Sequence, residues 1–247
     1  MRMAQAQAEA VYEDFPATFA AGTHAPERLW LVGQTSFAEA PANSRRYRFV
    51  KRAIDVLGAL VMTIVFAIPG FFIAAAILLT SRGPIFYHEM RLGRDGRPFR
   101  IWKFRSMHPN GSRRALIANR ESAARVFEWR MHKHRLDPRI TPIGGFLRRW
   151  SLDELPQLFN VLRGEMSLIG PRPIVRAEAK FYGDLLSFYL AVTPGLSGLW
   201  QVSGRSRVGY QERARLDALY VRSRSLSTDI KILFRTIPAV LGRVGAR

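Results

Sequence analysis

The chain has 247 residues, of which 48% are hydrophobic, so it is long enough and apolar enough to bury a core. It contains no cysteine, which excludes disulfides, thiolate zinc sites, iron–sulfur clusters and a cysteine nucleophile. Lys and Arg total 38 against 19 Asp and Glu, which gives a net charge of +19. This excess indicates an anionic partner: nucleic acid, an anionic membrane surface or phosphorylated substrates.

Sequence motifs weigh against the nucleic-acid interpretation. The chain has no P-loop, zinc-finger or RNA-binding signature, so that interpretation would rest on charge alone, and we expect no nucleic-acid partner. The five histidines show no HExxH or other metal-ligand spacing, so we expect no histidine-based metal site.

Composition divides the chain into three regions. Residues 1–44 are rich in Ala and form a variable N-terminal extension without the pattern of a signal peptide. Residues 45–82 contain an uncharged segment with basic flanks, and residues 83–247 have the composition of one basic globular domain.

The uncharged segment, residues 56–80, would form a straight helix of about 38 Å, and a bilayer core needs only about 30 Å. Hydropathy alone therefore favours an ordinary transmembrane helix. Both flanks are basic, however, with Lys51 and Arg52 on the first and several arginines on the second. Because positive charge marks the cytoplasmic side, these flanks favour a helix that enters and leaves by one face. Lys51 can also pair with Asp55 one turn later.

Pro69 and Gly70 lie at the midpoint of this segment, and we predict that the helix breaks at Pro69. Proline removes a helical hydrogen bond, and glycine permits a sharp change of direction. The freed carbonyls need partners in lipid, and Thr63 is one candidate donor. The re-entrant and the spanning interpretation both stay open at this point.

The remaining pattern predicts an α+β fold that is mostly helical. A β-hairpin is expected over residues 83–104, with the strands IFYHEM and PFRIWKF joined by a turn at Asp95-Gly96. A charged helix is expected over residues 113–135. The tail, residues 229–241, places four apolar residues on one helical face, which suits either an interfacial helix or a core helix. These four residues are Ile230, Leu233, Phe234 and Ile237.

An acidic pair, Asp153 and Glu154, stands within the run SLDEL of this basic chain. Ser151 and Glu154 have the spacing of a capping box, which predicts a helix start here. One interpretation is that the pair only caps this helix and complements its dipole. The other is that an exposed carboxylate attacks a phosphoryl group whose charge is neutralised by cations.

Cations occur on both sides of the acidic pair, at Arg148, Arg149, Arg163 and Arg172. A divalent metal, Mg²⁺ by preference, would bridge carboxylate and phosphate oxygens. The Gly-Pro-Arg-Pro turn that contains Arg172 could hold this side chain rigidly for bidentate phosphate binding. The alternative is a rigid loop with Arg172 directed to solvent.

Four long motifs extend the argument: KRAIDV, RGPIFYHEMRLGRDGRPFRIWKFRSM, DPRITPIGGFLRRWSLDELPQLFNVLRGEMSLIGPRP and TPGLSGLWQVSGRS. Through them, residues 46–240 resemble the bacterial monotopic phosphoglycosyl transferases, also called polyprenyl-phosphate sugar phosphotransferases. Within this family the chain is most similar to the short exopolysaccharide galactosyl-phosphate transferases. We therefore expect a catalytic domain without the additional amino-terminal membrane helices of longer members.

The resemblance implies a reaction. The family transfers a hexose-1-phosphate from a UDP-sugar to undecaprenyl phosphate, releases UMP and so begins exopolysaccharide synthesis. Galactose is favoured as the sugar and glucose is the alternative, while the oligomeric state is not implied. The implied setting is the bacterial inner membrane, with a re-entrant helix in the lipid bilayer and the catalytic domain on the cytoplasmic face.

The resemblance also assigns residues. Asp153 matches the nucleophile that forms an aspartyl-phosphosugar intermediate, and Glu154 matches the residue that supports the metal or positions the nucleophile. Mg²⁺ would be held by Asp153 and Glu154. The residues expected to bind substrate phosphate are Lys103, Arg148, Arg172 and Arg205. Lys51 and Arg52 match the membrane flank, and Pro69 matches the membrane break.

Two positions depart from the family pattern. Ile68 precedes Pro69 where the family commonly has serine, which leaves the sharpness of the bend open. Glu165 follows Gly164 where the family often has aspartate, and we expect little change. Two other functions stay open: a membrane glycosyltransferase that releases UDP, and a basic membrane-surface adaptor without catalysis.

Overall fold

The computed structural model of the chain describes residues 44–108, 139–204 and 208–242. Within these ranges the chain forms eight α-helices and two two-stranded sheets. This composition confirms the expected mostly helical α+β fold. The helix predicted over residues 113–135 and the predicted phosphate ligand Arg205 lie outside the described residues.

The apolar segment forms two consecutive helices, α1 (Arg45–Val65) and α2 (Ala67–Thr80). The Ser44 hydroxyl caps α1 by accepting a hydrogen bond from the Tyr47 amide at 3.1 Å. Among the described helices, none alone has the length and hydropathy to cross a membrane. Together α1 and α2 do, but their axes meet at an angle of 59°.

The bend lies at Phe66, three residues before Pro69, so the prediction of a break at Pro69 is wrong in position. A proline ring clashes with the carbonyl four residues earlier, which here belongs to Val65, the last residue of α1. Pro69 itself is accommodated in the first turn of α2. Thr63 does not serve the break either, because its hydroxyl donates to the Ala59 carbonyl at 2.7 Å.

Polar contacts attach α1 to the rest of the domain. As predicted, Lys51 pairs with Asp55, at 2.9 Å. Lys51 also donates to the Ser167 hydroxyl at 2.6 Å and lies 3.4 Å from Asp229. Arg52 donates to two main-chain carbonyls, at Val161 and Leu162. The role of Lys51 and Arg52 as the membrane flank stays a prediction.

The predicted hairpin is confirmed as antiparallel strands β1 (Phe86–Leu92) and β2 (Pro98–Phe104). A short 3₁₀ turn, Arg94–Gly96, joins them, and Asp95 has a φ of 57° there. Aspartate and glycine tolerate this left-handed conformation, which explains why the Asp-Gly pair marks the turn.

The chain continues through α3 (Pro142–Arg149), a 3₁₀ turn (Leu152–Glu154) and α4 (Gln157–Arg163). Thr141 caps α3 by accepting from the Gly144 amide at 2.9 Å. The remaining elements follow in order: β3 (Ser167–Ile169), 3₁₀ turns Arg176–Phe181 and Gly183–Leu185, α5 (Leu186–Leu190), β4 (Gly195–Ser197), α6 (Leu199–Val202), α7 (Tyr210–Ser223) and α8 (Leu226–Leu241). Strands β3 and β4 are parallel.

Two of the buried clusters join the apolar helices to the domain. The larger contains Ala59 of α1 together with side chains from β2, α4, β3, α6, α7 and α8. The smaller contains Ile73 and Ile77 of α2 with Phe104 and Leu147, and Leu152 and Leu155 pack against it. The bent pair is thus part of the same packing as the 3₁₀ turn Leu152–Glu154.

Helix α8 leaves an apolar face uncovered. Its buried side chains include Thr228, Asp229 and Ile232. The four apolar residues predicted to share one face are all exposed, which makes the core-helix alternative wrong for that face; they are Ile230, Leu233, Phe234 and Ile237.

Candidate active site

The acidic pair lies on the 3₁₀ turn between α3 and α4. Leu152 and Leu155 flank the pair and pack into the cluster shared with α2. Because these leucines are anchored, the intervening Asp153 and Glu154 are directed to the other side of the turn, where both are partly exposed. The site is therefore held by packing against α2 rather than by a flexible loop.

Two cations hold Glu154. Lys103 Nζ lies 2.8 Å from Glu154 Oε1, and Arg172 Nη2 lies 2.7 Å from the same oxygen. Arg172 Nη1 reaches Oε2 at 3.4 Å. Burial alone would raise the pKa of Glu154, but Arg172 and Lys103 hold that pKa well below its usual range. Glu154 is therefore a fixed carboxylate that orients both cations.

These contacts correct the predicted capping box. Ser151 adopts a left-handed conformation with a φ of 57° and makes no capping hydrogen bond, and Glu154 is committed to Lys103 and Arg172 instead. The regular helix α4 begins only at Gln157, after Pro156. The capping interpretation of the acidic pair is accordingly wrong for Glu154.

Asp153 has a different environment from its neighbour. Within the described part of the chain, no hydrogen bond or ion pair engages its carboxylate. Burial raises the pKa of Asp153, and the charge of Glu154 raises it further, while Lys103, Arg148 and Arg172 act to lower it. Asp153 is thus a carboxylate that faces three cations without being bound by a hydrogen bond to any of them.

Arg172 stands on a backbone segment that cannot shift easily. The Gly170 amide donates to Ser197 O at 2.9 Å, and the Gly195 amide donates to Pro171 O at 2.7 Å. A side chain at Gly170 would meet the Thr193 carbonyl oxygen at 2.7 Å, so only glycine fits this close approach. These contacts are consistent with the predicted rigidity of the turn, and Arg172 points to Glu154 rather than only to solvent.

Lys103 is positioned by β2, and the buried Asn160 ties this strand to α4. The Asn160 amide donates to Arg100 O at 2.8 Å, and its oxygen accepts from the Trp102 amide at 3.1 Å. Asn160 also donates to Glu165 at 2.7 Å. Asn160 was not predicted from the sequence, although it stands between Leu158 and Val161 on a short helix, and a polar residue in such a position is a usable signal.

The structure brings together the three predicted phosphate ligands that it describes, whereas other predicted cations lie apart from them. Lys103, Arg148 and Arg172 all act on Asp153. Arg163 instead lies over the Trp102 ring, 5.8 Å from its centroid, and Arg149 is exposed at the end of α3. Lys51, Arg52 and Pro69 belong to α1 and α2 and make none of the contacts described for Glu154.

The predicted metal site offers two carboxylates. Among the described residues, no group of three or more His, Cys, Asp and Glu is arranged to hold a metal ion. Mg²⁺ commonly uses one or two carboxylates together with substrate phosphates, so the unbonded Asp153 fits such an ion in part. Glu154 fits less well, because both of its oxygens already accept hydrogen bonds from cations.

An unbonded carboxylate beside a lysine and two arginines has the features of a site that transfers phosphoryl groups. Comparison with known proteins agrees, because residues 46–243 match the family model described as bacterial sugar transferase. The chain belongs to this family.

Several relatives are similar over most of this chain. An Erwinia amylovora protein named UDP-galactose-lipid carrier transferase is 49% identical over 81% of this chain and 42% of its own length. A Salmonella typhimurium protein named undecaprenyl-phosphate galactose phosphotransferase is 46% identical over 82% of this chain and 42% of its own length. Exopolysaccharide production protein ExoY of Sinorhizobium fredii is 44% identical over 77% of this chain and 84% of its own length. The chain thus spans about two fifths of the first two relatives.

Proposed function

We propose that this protein transfers a hexose-1-phosphate from a UDP-sugar to undecaprenyl phosphate and releases UMP. The observation that carries the proposal is the contrast between the two acidic neighbours. Glu154 is fixed by Lys103 and Arg172, whereas the carboxylate of Asp153 faces the same cations without a hydrogen bond. One carboxylate orients the cations, and the other is available to react.

In the first step an Asp153 oxygen attacks the phosphorus that carries the sugar, and the bond from this phosphorus to the bridging oxygen breaks. UMP leaves, and an aspartyl-phosphosugar remains. In the second step an oxygen of undecaprenyl phosphate attacks the same phosphorus, which yields the lipid diphosphate sugar and restores the Asp153 carboxylate. Lys103, Arg148 and Arg172 stabilise the negative charge that develops on the phosphoryl oxygens.

We infer that Asp153 would help to hold Mg²⁺, which would neutralise the negative charge of the donor phosphates. Glu154 would stay with Lys103 and Arg172. Chelation with EDTA should stop UMP release and added Mg²⁺ should restore it. Full turnover in the chelator would remove the metal from the proposal.

The membrane setting is supported by the exposed apolar surface of the bent pair, which includes Leu57, Val61, Ile68 and Phe71. Large exposed apolar patches mark sites of contact with a membrane or with another protein. Because α2 packs against Leu152 and Leu155, the acidic pair lies beside this surface, where a lipid-borne phosphate is available. We propose that α1 and α2 form a re-entrant hairpin and that the domain lies on the cytoplasmic face of the inner membrane.

The names of the Erwinia and Salmonella relatives both refer to galactose, which supports UDP-galactose as the donor. The name of the Sinorhizobium fredii relative refers to exopolysaccharide production, which supports exopolysaccharide assembly as the pathway. The purified chain in detergent should convert UDP-galactose and undecaprenyl phosphate to UMP. Release of UDP instead would identify a glycosyltransferase, and no release from any UDP-sugar would favour an adaptor.

The substitution Asp153→Asn is the direct test of the nucleophile, because a carboxamide is a poor nucleophile at phosphorus. It should abolish UMP release while membrane insertion persists. The matched control is Asp184→Asn, which alters an exposed aspartate on a distant 3₁₀ turn and should leave turnover unchanged. Substantial UMP release by Asp153→Asn would show that Asp153 has no covalent role.

A further inference from the structure

A basic cavity lies between the amino-terminal half of α1, the tip of the hairpin and β3. Its volume is about 210 Å³. At about 30 Å³ for each water in the liquid, this space equals roughly seven waters. Its polar lining includes five cations and one carboxylate: Arg48, Lys51, Arg52, Arg94, Arg224 and Asp55.

This cavity is separate from the candidate active site. Lys103 lies near the open end of the hairpin, where it pairs with Tyr87, whereas Arg94 forms the tip of the hairpin. The strand from Tyr87 to the tip rises about 3.4 Å per residue, so the two ends are on the order of 20 Å apart. A small anion held at the Arg94 end of the cavity would therefore not reach Lys103.

Two of the cations that line the cavity are already held by other groups of the protein. Lys51 is balanced by Asp55, and Arg52 is held by main-chain carbonyls at the end of α4. Arg48 and Arg94 are exposed at the rim of the cavity. Arg94 Nε lies 3.7 Å from Asp95 Oδ2, and the Asp95 side chain is itself largely exposed. Among the described residues no acidic group is paired with Arg48.

Arg224 lies close to both rim arginines. Burial lowers the pKa of Arg224, Tyr47 and Tyr220 act to raise it, and the positive charges of Arg94 and Arg48 act to lower it. Three guanidinium groups of like charge around one cavity repel one another, and an anion between them would relieve the repulsion. Guanidinium forks also match phosphate oxygens in geometry.

We propose that this cavity binds a phosphate-bearing anion at a site distinct from the candidate active site, with Arg48, Arg94 and Arg224 as its ligands. The phosphate group can belong to a soluble molecule or to a lipid headgroup. The cavity opens on the face of α1 that carries Tyr47, Lys51 and Asp55, and the apolar residues of α1 lie on the opposite face. This placement favours the soluble source.

The test is a calorimetric titration of the full chain, in detergent, with inorganic pyrophosphate. The double variant Arg48→Gln/Arg94→Gln should weaken one binding event by at least tenfold. Its control, Arg46→Gln/Arg97→Gln, removes two exposed arginines that do not line the cavity and should change the affinity less than twofold. Equal losses in both pairs would reduce the effect to general surface charge and overturn the proposal.

A third variant tests the cavity itself. Thr193 lines it, and Thr193→Phe would fill the space while every charge is kept. This variant should lose the same binding event, and wild-type affinity would overturn the proposal.

Arg172→Gln should leave this binding event intact, because Arg172 belongs to the candidate active site. Failure of the proposed function can therefore be distinguished from failure of the cavity proposal.

The source of the phosphate is decided by competition. Nanodiscs of phosphatidylcholine and of phosphatidylglycerol should leave pyrophosphate binding equal, within twofold, if the ligand is soluble. The alternative outcome is that phosphatidylglycerol, but not phosphatidylcholine, competes with pyrophosphate. If Arg48→Gln/Arg94→Gln abolishes that competition, the result supports the same site with a lipid headgroup as its ligand. Competition that this variant does not affect would contradict occupancy of the cavity by lipid.

Discussion

Arg172→Lys keeps the charge at the candidate active site and removes the planar fork of the guanidinium. In the structure Arg172 presents Nη2 at 2.7 Å and Nη1 at 3.4 Å to the two oxygens of Glu154, and its side chain is 34% exposed. It can therefore hold Glu154 and still offer a donor to a phosphate. A lysine at this position can keep one of these contacts but not the paired geometry.

The expected magnitude follows from the number of bonds lost. Losing one hydrogen bond to a charged group costs about 1.5–3 kcal/mol. If this loss falls on the transition state, the rate decreases roughly tenfold to a hundredfold. The assay is UMP release without lipid acceptor, because this isolates formation of the intermediate on Asp153 from its transfer to lipid.

Arg149→Lys is the control for this prediction. Arg149 lies in the last turn of α3, is exposed and belongs to the same basic run, yet it has no part in the contacts of Glu154. It should change the rate less than twofold. If Arg172→Lys and Arg149→Lys have equally small effects, then the fork of Arg172 does not act on the transferred phosphate and the reasoning is refuted.

Three further predictions test the charges and the topology. Glu154→Gln should move the acidic limb of the pH–rate profile to lower pH, because the charge of Glu154 helps to raise the pKa of Asp153; an unmoved limb would contradict this assignment. Cysteines at Arg46 and Arg82, exposed positions flanking the bent pair, should resist an impermeant thiol reagent in intact spheroplasts and react after lysis; labelling of one site from outside would establish a spanning helix. Burial raises the pKa of Asp217 to about 8, so the free energy of unfolding should decrease as the pH rises from about 4 to about 8; Asp217→Asn should flatten this dependence, measured by urea unfolding, and an unchanged slope would be contrary evidence.

The sign of the Asp217 effect follows from proton binding. Between the two pKa values the unfolded chain has released the proton and the folded chain has kept it, so the folded state binds more protons and loses stability as pH rises. The slope approaches about 1.4 kcal/mol per pH unit where only the folded state is protonated. Tyr182 donates to the same carboxyl group at 2.8 Å, and an asparagine oxygen can accept this hydrogen bond.

Local features of the sequence predicted local features of the fold. The Asp-Gly pair at residue 95 predicted the hairpin turn, because only a few residue types tolerate its left-handed backbone. The spacing of Lys51 and Asp55 predicted their ion pair. Each of these depends on residues within one turn, for which sequence spacing fixes the geometry.

Features that depend on distant residues were not predictable in the same way. The S-x-x-E pattern at Ser151 predicted a cap, but Lys103 and Arg172 arrive from two other elements and bind Glu154 more strongly than a main-chain amide would. The local signal was real, and the tertiary contact prevailed. Asp153 and Glu154 stand next to each other in the sequence, yet only the structure shows that one is bound and the other is not.

The bend between α1 and α2 shows how a correct signal can point to a neighbouring position. Pro69 predicts a break in the helix, but a proline disturbs the turn that precedes it, so α1 ends at Val65 and the chain turns at Phe66. With the bend there, Ile73 and Ile77 of α2 reach Leu147 and Phe104, and the same cluster anchors Leu152 and Leu155. The position of the bend thereby sets where the acidic pair meets the apolar surface. A residue that breaks a helix in the proposed membrane segment thus also positions the chemistry, and this coupling cannot be read from either motif alone.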